Sequence, residues 1–213
     1  MLVRRIVSVV VAAAVLIVAV GCSSDESALA GERIAGSMAE LFQEVLDDQD
    51  YDLSPLEREV VERAVVAGRI DPVDYEASHA QYVRCMEGNG FETSFRKTPE
   101  GYYINLGWVT EREDVSDIDV ECMDGERMIE VLFAMQQGNP DLLSDQRLVA
   151  IQCLRRVGLV DSSYTVDDFD RDMNRDEIGG TDPIFSFDIY EDSANNCLYY
   201  AGYAFSIDEE VRR

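Results

Sequence analysis

Lysine is almost missing from this 213-residue chain: Lys97 stands alone beside 17 arginines. Histidine occurs once, at His79. Against 18 basic residues there are 43 acidic ones, a formal net charge of −25. A surface so short of positive charge repels nucleic acid and anionic lipid headgroups, which argues against a DNA- or RNA-binding role. No CxxC occurs, so a thioredoxin-like redox site is not expected, and no His or second Cys lies at zinc-ligand spacing. No GxSxG elbow is present for a Ser-His-Asp site. No cofactor or metal motif is complete, and none is expected. A membrane-spanning helix needs roughly 20 apolar residues. The longest such run, Ile6 to Val20, has 15 and includes Ser8.

That run is better suited to a signal-peptide core. Arg4 and Arg5 precede it as a positive n-region, and it ends in Ala19-Val20-Gly21-Cys22. These four residues resemble the lipobox of bacterial lipoproteins, although that motif usually has leucine where Ala19 stands. The resemblance implies a signal peptide over 1–21, a diacylglycerol thioether on Cys22 and cleavage before it. Fatty acyl chains such as palmitate would then anchor the protein to the extracytoplasmic face of the cell membrane. Cleavage leaves 16 basic against 43 acidic residues, a formal charge of −27. Ser23, Ser24, Asp25, Glu26 and Ser27 begin a polar tether over 22–31. An acidic extracytoplasmic domain over 32–213 follows. At 46% of the chain, the apolar residues suffice for a real core.

Five cysteines are an odd number for an exported protein. Lipidation of Cys22 leaves an even four: Cys85, Cys122, Cys153 and Cys197. In an oxidising compartment these form disulfides. Of three pairings, Cys85–Cys122 and Cys153–Cys197 are favoured because they are sequential and agree with an internal repeat. In that repeat Val83-Arg84-Cys85-Met86 … Gly90-Phe91 parallels Ile151-Gln152-Cys153-Leu154 … Gly158-Leu159. Cys122-Met123 and Cys197-Leu198 then supply the second cysteine of each half. The expectation is two related halves, about 70–138 and 139–213, each a helix stapled to a returning element.

Periodicity defines the elements. Ile34, Met38, Leu41, Phe42, Val45 and Leu46 predict an amphipathic helix of about four turns. Ser54-Pro55-Leu56-Glu57 predicts a capping box with proline at the first helical position, and Gly68 an end. Asp71-Pro72 starts a third helix that runs to about Glu87, with Tyr75, His79, Tyr82 and Met86 on one stripe. A period of two then predicts a β-hairpin over Phe91–Lys97 and Tyr102–Thr110, with Tyr102, Ile104, Leu106 and Trp108 on one face. An acidic loop is expected before Cys122. Helices follow at Met128–Met135, after a Ser144 cap, and after a Thr165 cap. Last come a strand at Ile184–Tyr190 and a helix at Ala194–Phe205. The fold class is α+β, mainly helical.

One further stretch is similar to a known group. Gly68-Arg69-Ile70-Asp71-Pro72-Val73-Asp74-Tyr75-Glu76-Ala77, then Tyr82 and Cys85-Met86-Glu87-Gly88-Asn89-Gly90, resembles a pattern in uncharacterised secreted or lipid-anchored proteins of high-GC actinobacteria. The resemblance implies an exported, disulfide-bonded chain and carries no activity.

Candidate chemistry is thin. Asp168, Asp170 and Asp172 imitate the first half of a calcium loop, but Met173 and Gly179 stand where glycine and glutamate belong. His79, on an apolar stripe, reads as a hydrogen-bonded core histidine. Met86 and Met123, beside cysteines, read as core rather than copper ligands. Tyr199, Tyr200, Tyr203 and Phe205 suit either a ligand groove or one buried helix face. The expected function is a non-enzymatic envelope binding or interaction module. The alternative is a small hydrolase using a pair of carboxylates, which nothing in the sequence singles out.

Overall fold

Side-chain caps set where most of the helices begin. The computed structural model describes residues 31–108, 110, 112–173 and 186–203. The signal peptide, Cys22, most of the tether and the ends of several late expectations therefore lie outside the described residues. α1 (Met38–Asp47) starts after Ser37, whose hydroxyl accepts the Glu40 amide. That is one turn later than predicted, because the Ile34 amide donates instead to Leu142 in a short antiparallel bridge between Arg33 and Leu143. α2 (Pro55–Ala67) has the expected reciprocal capping box between Ser54 and Glu57 and ends at Gly68 with φ 71°. The Glu57 carboxylate also accepts the Met128 amide, and the Ser54 hydroxyl donates to the Gly125 carbonyl. One buried glutamate thus joins the start of α2 to the start of the later helix α5 (Arg127–Gly138). α3 (Pro72–Gly88) follows from Asp71 as expected.

The hairpin pairs β1 (Thr93–Lys97) with β2 (Tyr103–Trp108) in antiparallel register. Thr93 faces Trp108 while Phe95 faces Asn105, so β2 carries one extra residue there. Gly107 at φ 102° and the Asn105 side chain, which accepts the Gly107 amide, form this bulge. It throws Leu106 out to 58% exposure, whereas the expected alternation had it beside Ile104.

The acidic loop expected before Cys122 is a helix, α4 (Val115–Met123). Val115, Ile118 and Cys122 are spaced three and four apart, enough to seat it against α3 despite three acidic residues between. α5 (Arg127–Gly138) and α6 (Gln146–Arg156) follow. Asp145, not Ser144, caps α6, because its carboxylate accepts the Arg147 amide. α7 (Val166–Met173) is capped by Thr165 in exchange with Asp168. No strand forms over 186–190, the described part of that expectation, which is bends and turns leading into α8 (Asp192–Tyr200).

Both disulfides pair as expected. Cys85–Cys122 ties α3 to α4 and Cys153–Cys197 ties α6 to α8, with Cα separations of 5.5 and 5.3 Å. The helix-end pattern behind the repeat recurs a third time. Gly90, Gly158 and Gly202 each lie five residues after a cysteine and have φ of 81°, 78° and 82°. In each, the next residue returns its amide to the residue after the cysteine: Phe91 to Met86, Leu159 to Leu154, Tyr203 to Leu198. These are Schellman ends, in which glycine takes the left-handed turn that frees a 6→1 hydrogen bond.

The core falls into packed groups. Phe42, Val61, Ile70, Tyr75, Ile129 and Phe133 join α1, α2, α3 and α5. The rings of Tyr75 and Phe133 stack at 4.0 Å. Ile151, Leu154, Phe169, Ala194 and Leu198 join α6, α7 and α8. α8 links the two groups, because Tyr199 and Tyr200 pack against the first. The result is α+β and mainly helical: eight helices and one hairpin among the described residues.

Candidate binding cavity

The stripe on α3 faces a cavity of about 190 Å³. Tyr75, Ser78, His79 and Tyr82 lie one helical turn apart in pairs and supply one wall. Phe95 of β1 and Asn105 of β2 supply another. Asp119 and Met123 of α4, Glu126 and Glu130 at the start of α5, and Tyr199 of α8 close it. Such a volume is below the roughly 300–1,000 Å³ of clefts for drug-sized ligands. A larger groove of about 640 Å³ shares Asp119, Met123, Glu130 and Tyr199 with the cavity.

Three carboxyl groups line the cavity and no lysine or arginine does. Among the described residues none of the three forms a salt bridge. Tyrosine and serine hydroxyls satisfy them instead. Tyr82 donates to Asp119 at 2.6 Å, Tyr102 to Glu130 at 3.0 Å, and Ser78 to Glu126 Oε2 at 3.3 Å. Glu126 is only 3% exposed. Burial raises its carboxyl to about 7, and Glu130 adds repulsion; the Ser78 and Tyr82 contacts and Arg84 pull the other way and lose. Burial also raises Glu130, with Asp119 adding to it and the Tyr102 hydrogen bond opposing. The Tyr75, Tyr82 and Tyr102 phenols are all pushed up by burial, so they remain donors.

His79 does lie on the stripe, but rings rather than a hydrogen bond hold it. Among the described residues its side chain has no hydrogen-bond partner. It stacks on Tyr103 at 3.9 Å and meets Phe95 edge-on at 4.5 Å. Burial lowers its pKa, with Lys97 adding and Glu76 opposing, so the ring is held neutral.

The other sequence candidates separate. Asp168 caps Thr165 and pairs with Arg171, and its carboxyl is held down to about 2 by the Thr165 amide and hydroxyl and by Arg171. Asp170 pairs with Arg147, and buried Asp172 accepts from the Tyr164 hydroxyl and the Ser186 amide. The three do not converge on one point as calcium ligands would. Met86 is buried in the core beside the Cys85–Cys122 staple, and Met123 lines the cavity. Tyr199 and Tyr200 pack on the core and also border the larger groove, Tyr203 packs against the α6–α8 group, and Phe205 lies outside the described residues.

Asp119, Glu126 and Glu130 were not picked out by the sequence. A signal was present for two of them. Glu126, Ile129, Glu130 and Phe133 share one face of α5, so two glutamates sit on an apolar stripe.

The fold and cavity define a small helical, disulfide-stapled domain with an acidic, aromatic pocket. The chain matches no protein-family model, no curated protein and no solved structure.

Proposed function

We propose that this chain is a lipid-anchored binding protein of the cell envelope, held through Cys22 and presenting the α3–α5 cavity to a small ligand. The anchor reading is supported by Arg4, Arg5, the apolar run to Val20 and Ala19-Val20-Gly21-Cys22. The two disulfides accord with an oxidising compartment. One observation carries the binding reading: a cavity lined by three carboxyl groups without ion-pair partners and by four tyrosine or phenylalanine rings. A carboxyl group buried without a cationic partner, as Glu126 is, is costly, and such perturbed groups gather at binding sites. The test fills the space. Ser78, 4% exposed, lines the cavity, and Ser78→Met projects into it. Small polar compounds that raise the Tm of the full chain should fail to do so in this variant. If no compound class raises it, or if the variant responds equally, the binding reading fails.

A second reading, a carboxylate-dependent hydrolase, draws on Glu126. A carboxyl about half protonated near neutral pH is the form a general acid takes. The cavity's small volume ranks this reading second. Turnover of an aryl glycoside or ester that Glu126→Gln abolishes would reverse the order.

A further inference from the structure

We infer that the cavity takes a small organic ammonium ion. This rests on the binding reading above and follows from the charge and the rings of the lining. The hydroxyls nearest the carboxyl groups are already spent: Ser78 on Glu126, Tyr82 on Asp119, Tyr102 on Glu130. No side-chain donor reaches Glu126 Oε1 among the described residues. Asn105, whose oxygen accepts the Gly107 amide, and Tyr75, whose oxygen accepts the Tyr103 amide, keep neutral donors of their own. Beside a few neutral donors the lining thus sets three acid groups, none paired with a cation among the described residues. An acid is repelled by them. A neutral sugar leaves the charge of the acid groups uncompensated. A ligand that brings N–H donors and positive charge compensates them.

The rings settle which kind of cation. Tyr75, Tyr82, Phe95 and Tyr199 line the same space as Glu126 and Glu130. Aromatic rings attract alkylammonium groups through their quadrupole and cover the alkyl carbons, as in aromatic cages for choline-like ligands. A bare metal ion would need oxygen or nitrogen ligands converging on a point. Among the described residues no three His, Cys, Asp or Glu side chains are so arranged. The cavity volume of about 190 Å³ limits the ligand to a small amine or a single alkylammonium head.

Calorimetry on the full chain in detergent at pH 7.5 and constant ionic strength tests this. The probes are butylammonium, tetramethylammonium, glucose and acetate. At least one of the two ammonium ions should bind with Kd below about 1 mM. Glu126→Gln should weaken that binding at least tenfold. Phe95→Leu, on the opposite wall, should weaken tetramethylammonium several-fold more than butylammonium if both bind. Glucose or acetate binding in place of either ammonium ion overturns the ligand class and leaves the binding reading standing. Ammonium binding unaffected by both substitutions overturns the site. No binding by any probe overturns the ammonium assignment, and absence of any stabilising compound in the Ser78→Met comparison then removes the binding reading as well.

Discussion

Ser78 on α3 donates its hydroxyl to Oε2 of Glu126 at 3.3 Å, tying that helix to the start of α5 across a buried carboxyl group. The bond does not outweigh the cost of burial, and the Glu126 pKa stands at about 7 against an ordinary 4.5. Between those values the folded protein keeps a proton that the unfolded chain has lost. The stability this proton confers is complete below the unfolded value and falls as pH rises through the folded one. At about 1.4 kcal/mol per pH unit, the loss by pH 8 is on the order of 3 kcal/mol. Glu126→Gln cannot ionise, so it should raise stability by about 2–3 kcal/mol at pH 8 and change it little at pH 4. Urea unfolding at the two pH values measures the difference, and equal effects would contradict the assignment.

The single histidine makes a second titration readable without resonance assignment. Burial against Tyr103 and Phe95 lowers the His79 pKa, with a sign opposite to that of Glu126. The neutral ring is favoured in the fold, so its contribution is present above the unfolded value and is lost as pH falls. The His79 proton resonances should titrate with a midpoint below 6.5. A midpoint above that value would show that Glu76 and the cavity carboxylates dominate over burial.

α5 and α8 meet at a glycine. A Cβ on Gly138 would lie 2.3 Å from Cβ of Tyr200. Alanine gains about 1 kcal/mol of helix propensity, while overpacking costs about 1–3 kcal/mol. The clash should prevail, because Tyr200 is also held by the 2.8 Å hydrogen bond between its hydroxyl and Thr98. Gly138→Ala should lower the Tm by roughly 3–6 °C. It should also weaken ligand binding through Tyr199. An unchanged Tm would show that α8 moves aside freely.

The staples differ in exposure. Cys153 and Cys197 are buried at 5% and 0% exposure, while Cys85 is only half-buried. The Cys85–Cys122 bond should therefore be reduced first in mild thiol, as timed alkylation and peptide mapping would show. Removing either bond should cost about 3–4 kcal/mol on the chain-entropy model, the loops spanning 37 and 44 residues. Reduction of Cys153–Cys197 first would mean that α6 and α8 open before α3 and α4.

Local chemistry carried most of the fold in the sequence. Ser54-Pro55-Leu56-Glu57 and Asp71-Pro72 act through atoms within four residues, so their helices begin where expected. The disulfide pairing followed from cysteine count and spacing. α4 was missed because only Val115, Ile118 and Cys122 mark it among acids, and its seat on α3 is a tertiary contact. The Leu106 bulge was hidden because alternation ignores what Gly107 permits. The α3 stripe was legible, but Tyr75, His79 and Tyr82 were read as core when the same face also borders a cavity. Asp119, Glu126 and Glu130 were three acids among 43. Only burial distinguishes them, and burial is decided by elements far apart in the chain.

Mass spectrometry of the amino-terminal peptide from the membrane-bound protein tests the account most directly. It should begin at Cys22 and carry a thioether-linked diacylglycerol. An intact leader, or a mature start beyond residue 22 with no fatty acid attached, would contradict a lipid-anchored envelope protein.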